Sequence, residues 1–196
     1  MTKTSSLFNT HLPPLADRVR PNTISDFIGQ NHLIDSKRII NEMVTKNKYY
    51  SMILWGPPGC GKTTLARIIA KSSESIIYEI SAISSGVKDL RNIFVKSQAN
   101  NDNGVSSIIF IDEIHRFSKS QQDALLHAVE EGLIILIGAT TENPSFEIIN
   151  PLLSRCKTLK LKPLDNDALH TILHQSIKSD ILLSQKNIVL NKKIQK

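Results

Sequence analysis

A strand-like apolar run, a glycine-rich loop and an amphipathic stretch follow one another directly near the first third of this chain, and that order constrains its fold most. Met52-Ile53-Leu54-Trp55 leads into Gly56-Pro57-Pro58-Gly59-Cys60-Gly61-Lys62-Thr63, which satisfies G-x-x-x-x-G-K-[ST]. Glycines at these positions let backbone N–H groups turn inward onto a polyphosphate where a side chain would block them. Lys62 adds a point charge for the β- and γ-phosphates, and the Thr63 hydroxyl can ligate Mg²⁺, with Thr64 next to it in the same turn. Leu65, Ile68 and Ile69 share one face of the helix that follows, whose positive end points at the same phosphates. The segment therefore predicts a nucleoside-triphosphate site on a strand–loop–helix unit.

A second segment completes the chemistry. The apolar residues Ile108–Ile111 deliver Asp112 and Glu113 to the carboxyl end of a buried strand, where open α/β sheets bind ligands. Asp112 can face Thr63 across a Mg²⁺ shell, and Glu113 can polarise an attacking water, which is most of what phosphoryl transfer demands of a protein. Thr140 and Thr141 end the next apolar strand, and spacing does not decide which hydroxyl would sense a γ-phosphate. Arg155, in Ser154-Arg155-Cys156, taken alone reads first as a surface ion-pair residue; spacing cannot show the other reading, an arginine lent to a neighbour's site, a role worth about 10³–10⁵-fold in rate.

Around these segments the spacing predicts alternating helices and strands. Ser36 is expected to cap a helix through Ile39, Ile40, Met43 and Val44 to about Lys48. A strand over Ile76–Ser81 precedes a helix through Leu90, Ile93 and Phe94 to about Ala99, then a turn at Asn100–Gly104. After the Ser107–Ile111 strand, Ser120 and Asp123 form a capping-box pattern for a helix ended by Gly132. Strands are expected at Leu133–Ile137 and Thr158–Leu161, a short helix ending near Cys156, and a helix from Asp165 through Leu169, Ile172, Leu173 and Ile177. Such alternation predicts a parallel sheet in a three-layer α/β fold.

Charge adds a second hint. The net charge of +6 is concentrated in residues 1–100, with 13 Lys/Arg against 7 Asp/Glu, whereas residues 101–196 carry 11 of each. A nucleic-acid surface and a solvated face with phosphate-binding lysines both account for that excess. Cys60 and Cys156 form neither a metal knuckle nor a disulfide framework, no run approaches the ~20 apolar residues of a membrane span, and the N-terminus does not read as a signal peptide. A cytoplasmic protein is the resulting expectation.

The chain resembles the AAA+ ATPases and, among them, the replication-associated recombination protein A family. The resemblance runs from Pro14-Leu15-Ala16-Asp17-Arg18-Val19-Arg20-Pro21 to about Pro163-Leu164. It includes Phe27-Ile28-Gly29-Gln30, the phosphate loop, Ser85-Gly86-Val87-Lys88-Asp89 and Asp112-Glu113-Ile114-His115-Arg116-Phe117. Its most specific stretches are Lys119-Ser120-Gln121-Gln122-Asp123-Ala124 and Gly138-Ala139-Thr140-Thr141-Glu142-Asn143-Pro144-Ser145-Phe146. The resemblance implies ATP and Mg²⁺ as ligands, Lys62 and Thr63 as Walker A, Asp112 and Glu113 as Walker B, Thr141 as sensor 1 with Thr140 the near alternative, and Arg155 as a finger in trans. It also implies that the segment from Arg20 to Ile28 frames the adenine and that Ser81 holds Glu113 until a partner binds. The implied partners are DNA at forks or single-strand/double-strand junctions, single-strand-binding protein and replication machinery, and further copies of the chain.

Read this way, residues 1–14 are a flexible leader, 15–163 the P-loop ATPase core and 164–196 the start of a helical lid. Family members continue into a lid with a second sensor arginine and an oligomerisation domain, so the expectation is a truncated chain in which nucleotide binding survives better than hydrolysis. Two alternatives stand beside the ATPase of fork maintenance: a nucleotide-binding interaction module with little turnover, and a subunit similar to clamp loaders or to a Holliday-junction motor.

Overall fold

The computed structural model describes residues 12–83, 85–186 and 188. They fall into two compact units, one spanning Pro21–Asp165 and one combining the residues up to Arg20 with those from Asn166 on. The expected leader lies outside the described residues apart from 12–14, as do 187 and 189–196 of the expected lid.

The larger unit contains helices α2 (Asn31–Ile34) and α3 (Ile39–Thr45), strand β1 (Met52–Trp55), α4 (Lys62–Ser72), β2 (Ile76–Ser81), α5 (Val87–Asp102), β3 (Ser107–Asp112), α6 (Lys119–Glu130), β4 (Ile135–Thr140), α7 (Pro144–Glu147), α8 (Asn150–Arg155) and β5 (Lys157–Lys160). The smaller unit has α1 (Leu15–Arg18) and α9 (Asn166–Ser179), and within it the Arg18 guanidinium donates to Asp180 at 2.6 Å.

All strand pairs are parallel, in the order β2-β3-β4-β1-β5. Side chains of a strand alternate between faces, and that alternation divides the core in two. Met52, Leu54, Ile108, Phe110 and Ile137 pack with Ile40 and Met43 of α3 and Leu65, Ile68 and Ile69 of α4. Ile53, Ile109, Ile111 and Leu136 pack on the opposite face with Leu90 of α5, Leu125 of α6 and Leu152 of α8. Because both faces are covered, the three central strands β1, β3 and β4 are almost wholly apolar, whereas the edge strands β2 and β5 carry Glu79, Lys157 and Lys160, and each fully buried Leu or Ile contributes about 1.5–3 kcal/mol. The predicted three-layer α/β sheet is the fold observed.

Several boundaries move for local reasons. Ser36 is not the cap of α3: it lies in a turn with Lys37 at φ 65°, and Arg38 occupies the cap position without a side-chain hydrogen bond. The same helix stops at Thr45 because Asn47 adopts φ 50° and the Asn47 and Lys48 N–H groups bond back to Val44 and Met43. At α6 the capping box is Ser118 with Gln121 rather than Ser120 with Asp123, since the helix starts at Lys119 and leaves Ser120 inside its first turn. Gly132, at φ 67°, ends that helix as expected, but Leu133 is used up in its exit, donating to Ala128, so β4 begins at Ile135. β4 then runs on to Thr140, which lies opposite Trp55. Helix α5 continues through Asp102, and the Asn-rich turn is confined to Asn103 and Gly104.

The cap assignment makes a direct prediction. Ser118→Ala should cost about 1 kcal/mol in urea unfolding, whereas Ser120→Ala should stay within about 0.5 kcal/mol of the unaltered chain. Equal losses would restore Ser120 as the cap.

Candidate nucleotide site

The sheet order brings the carboxyl ends of β1, β3 and β4 side by side; Asp112, Glu113, Thr140 and Thr141 sit at the ends of β3 and β4 or one residue past them, and Lys62 and Thr63 open the helix that the loop after β1 leads into. After Trp55 the chain turns through Gly56–Gly61 into α4. Gly56 passes so near β5 that a Cβ there would come within 2.6 Å of the Leu161 carbonyl oxygen. Gly61 adopts φ 98°, and a Cβ on it would lie 2.8 Å from Cζ of Phe27. Each position thus admits only glycine, one for close approach to backbone and the other for backbone conformation and close packing together.

Lys62 opens α4 and is 7% exposed. Its ammonium turns back into the loop, donating to the carbonyls of Gly56 at 2.8 Å and Pro57 at 3.0 Å. A buried ammonium needs such acceptors, and an incoming polyphosphate could take their place with full opposite charge. Thr63 follows in the first turn of the same helix.

Asp112 is the last residue of β3, level with Ser81 on β2. Burial raises the pKa of its carboxyl group above the ordinary value, with the charge of Glu113 adding to the rise, while a hydrogen bond from the Glu113 N–H and the charges of Lys62 and Arg67 oppose it. A carboxylate at a strand end and a threonine in the first turn of a neighbouring helix are the oxygen donors that a hard divalent-cation site uses. Glu113 leaves the strand at φ 53°, the left-handed region that costs a residue with a Cβ roughly 1–2 kcal/mol. That bend puts its carboxylate 3.3 Å from His115 Nδ1 and 3.5 Å from the Thr141 hydroxyl.

The two threonines separate clearly. Thr140 is fully buried, its hydroxyl 3.0 Å from His115 Nδ1 and accepting the Glu142 N–H at 3.0 Å. Thr141 is the one whose hydroxyl reaches Glu113. Ser81 differs from expectation: its hydroxyl accepts the Ile83 N–H at 3.4 Å, and the polar contacts of Glu113 are His115 and Thr141. Arg155 ends α8 with its guanidinium on Glu130 at 3.0 Å and on Ser154 at 3.3 Å, an arrangement of the surface ion-pair kind.

Arg20 belongs to the smaller unit, where it pairs with Asp17 at 2.9 Å. Ile28 belongs to the larger one, half-buried in the segment whose Phe27 ring contacts the loop at Gly61. Two residues escaped assignment from sequence. His115 bridges Glu113 and Thr140, and only its place two residues after Glu113 hinted at that. Gln30 donates to the Cys60 carbonyl within the loop from 30 positions away, and nothing local marks it.

Residues 52–164 match the profile of the ATPase family associated with various cellular activities (AAA). Curated relatives include the ATPase WRNIP1 of Dictyostelium discoideum, 46% identical over 91% of this chain and 20% of its own length. Replication-associated recombination protein A of Coxiella burnetii is 47% identical over 89% of this chain and 39% of its own, and that of Escherichia coli K12 is 46% identical over 84% and 37%. The chain therefore spans between a fifth and two-fifths of the length of these relatives. Among solved structures, the Thermotoga maritima RuvB Holliday junction branch migration motor aligns with TM-score 0.66 and 28% identity, over 82% of this chain and 54% of its own. No helix among the described residues is long and apolar enough to cross a membrane.

The carboxylate at the end of β3 generates a stability prediction. A pKa raised on folding means that Asp112 contributes its full stability below the unfolded value and loses it as pH rises through the folded one. Asp112→Asn should therefore melt higher than the unaltered nucleotide-free chain at about neutral pH, and the gap should close as pH falls towards about 4. Thermal melts across that range decide it; an Asn variant that melts lower at neutral pH would mean that the ionised carboxylate is compensated in place.

Proposed function

The chain belongs to the AAA family of ATPases, and on that premise we propose that it binds ATP with Mg²⁺ and hydrolyses it in replication-fork maintenance and recombination, acting on DNA. One observation supports the catalytic part: Asp112, Glu113 and Thr141 lie at the ends of two adjacent parallel strands, and Lys62, turned back into the loop that follows their neighbour β1, acts electrostatically on Asp112. The DNA-related part rests on the names and identities of the relatives, supported by the basic first half of the chain.

The loop from Gly56 to Thr64 binds the phosphates, with Lys62 exchanging the Gly56 and Pro57 carbonyls for phosphate oxygens. Thr63 and Asp112 would hold Mg²⁺, which supplies charge neutralisation on the phosphates. Glu113 orients the attacking water, and Thr141, one residue past β4, fixes that carboxylate. The Arg20–Ile28 segment frames the base. Arg155 acts on a neighbouring protomer's nucleotide after leaving Glu130, so a homo-oligomer is part of this reading. Fork or junction DNA, single-strand-binding protein and the replication machinery are its partners, and the cytoplasm its compartment.

A second reading, nucleotide binding with little turnover, is favoured by one contact: Arg155 is held by Glu130 of its own chain at 3.0 Å.

The readings separate by ATP turnover per protomer over a range of protein concentrations, with and without forked DNA. The leading reading expects turnover that rises with concentration, disappears in Lys62→Ala, and falls at least about 10²-fold in Glu113→Gln with ATP affinity retained. Binding without turnover at every concentration would establish the second. A chain indifferent to DNA in both binding and rate would remove the fork assignment.

A further inference from the structure

The geometry points to Gln30 as a positioning residue for phosphate binding, a clasp that holds the phosphate loop in its binding shape before any nucleotide arrives; it rests on reading Gly56–Thr63 as the phosphate cradle. Gln30 is 5% exposed and uses its whole amide. Nε2 donates to the Cys60 carbonyl at 3.2 Å and to the Lys162 carbonyl at 2.7 Å, while Oε1 accepts the Lys162 N–H at 2.8 Å. One side chain thus ties the middle of the loop to the backbone just beyond β5, the strand that flanks β1 at the sheet's edge.

The bond to Cys60 has a geometric consequence. In a planar trans peptide the C=O and the following N–H point in opposite directions. Holding the Cys60 carbonyl towards Gln30 therefore directs the Gly61 N–H away from it, in series with the N–H groups that open α4. Those groups are what a phosphate recognises at a helix N-terminus. A rotated Cys60–Gly61 peptide would present a carbonyl oxygen in that row, repelling the anion it should attract.

The surroundings show that Gln30 is held for this purpose at a cost. Its own backbone sits at φ 58°, unfavourable for a residue with a Cβ, and such strain persists only where neighbours over-determine it. Phe27, three residues earlier, packs on Gly61 itself, and Gly29, at φ 82°, is pressed so near Leu164 that a Cβ would lie 2.7 Å from its Cδ2. The segment is wedged between the loop and residues 162–164, and Gln30 provides the polar contacts of that wedge.

The test compares two ligands by calorimetry in Mg²⁺: ADP, and inorganic pyrophosphate, which has phosphates and no base. Gln30→Asn keeps a residue tolerant of left-handed backbone but is too short for the clasp; Gln30→Met keeps length and volume and removes the polar atoms. In either variant, at a temperature where circular dichroism shows it folded, both affinities should fall by a common factor of about ten. Unchanged affinities overturn the clasp. A loss for ADP with pyrophosphate unaffected overturns it too, because Gln30 would then act through the base-side segment. Lys62→Ala separates the premises: if it binds pyrophosphate as tightly as the unaltered chain, the cradle reading fails and the clasp with it, whereas loss in Lys62→Ala alone leaves the cradle and removes the clasp. The unaltered chain gives an independent check, since the Lys162 N–H should exchange slowly with deuterium in the nucleotide-free state; rapid exchange would also overturn the clasp.

Discussion

A lysine ammonium almost withdrawn from water sets the terms for everything around it. An ammonium at 7% exposure needs hydrogen-bond acceptors, and the acceptors Lys62 has are two carbonyls of the loop that precedes it. Those carbonyls turn inward only if the loop can run hard against its surroundings, under the Leu161 carbonyl at Gly56 and against Phe27 at Gly61. The edge strand β5 and the Phe27–Gln30 segment are therefore parts of the site although neither supplies a group to the chemistry. Helix α4 anchors the other end of the loop through Leu65, Ile68 and Ile69, which are removed from solvent on one face of the sheet.

The acidic side of the site follows from strand order. With β4 inserted between β3 and β1, the residues at 112–113 and 140–141 become neighbours, and the left-handed turn at Glu113 swings its carboxylate towards Thr141 and His115. This corner works against stability. Asp112 is desolvated next to a like charge, and Glu113 holds a backbone conformation that its Cβ disfavours. The two apolar cores on either face of the sheet hold the corner in place.

His115 and Gln30 illustrate how a functional site recruits residues that no local pattern announces. Nδ1 of His115 lies between the Glu113 carboxylate and the Thr140 hydroxyl, linking the acidic turn to the end of β4. Gln30 spans three segments of chain with one amide. Both are polar side chains on short turns, where sequence alone offers many roles.

What the sequence by itself determined is everything with a local physical signature. The apolar runs at Met52–Trp55 and Ile108–Ile111 specified buried strands because only a sheet covered on both faces accepts them. The spacing of Gly56, Gly61, Lys62 and Thr63 specified a phosphate loop because backbone sterics and charge act within a few residues. Helix ends were less legible: Asn47 and Ser118 prevailed over Lys48 and Ser120 through hydrogen bonds that several nearby residues could have made. The tertiary structure alone decided which threonine faces Glu113, that Arg155 rests on Glu130, and that Gln30 reaches Cys60 and Lys162. These contacts join residues up to 132 positions apart, so they depend on strand order and on which face each side chain takes, and no local interaction encodes either.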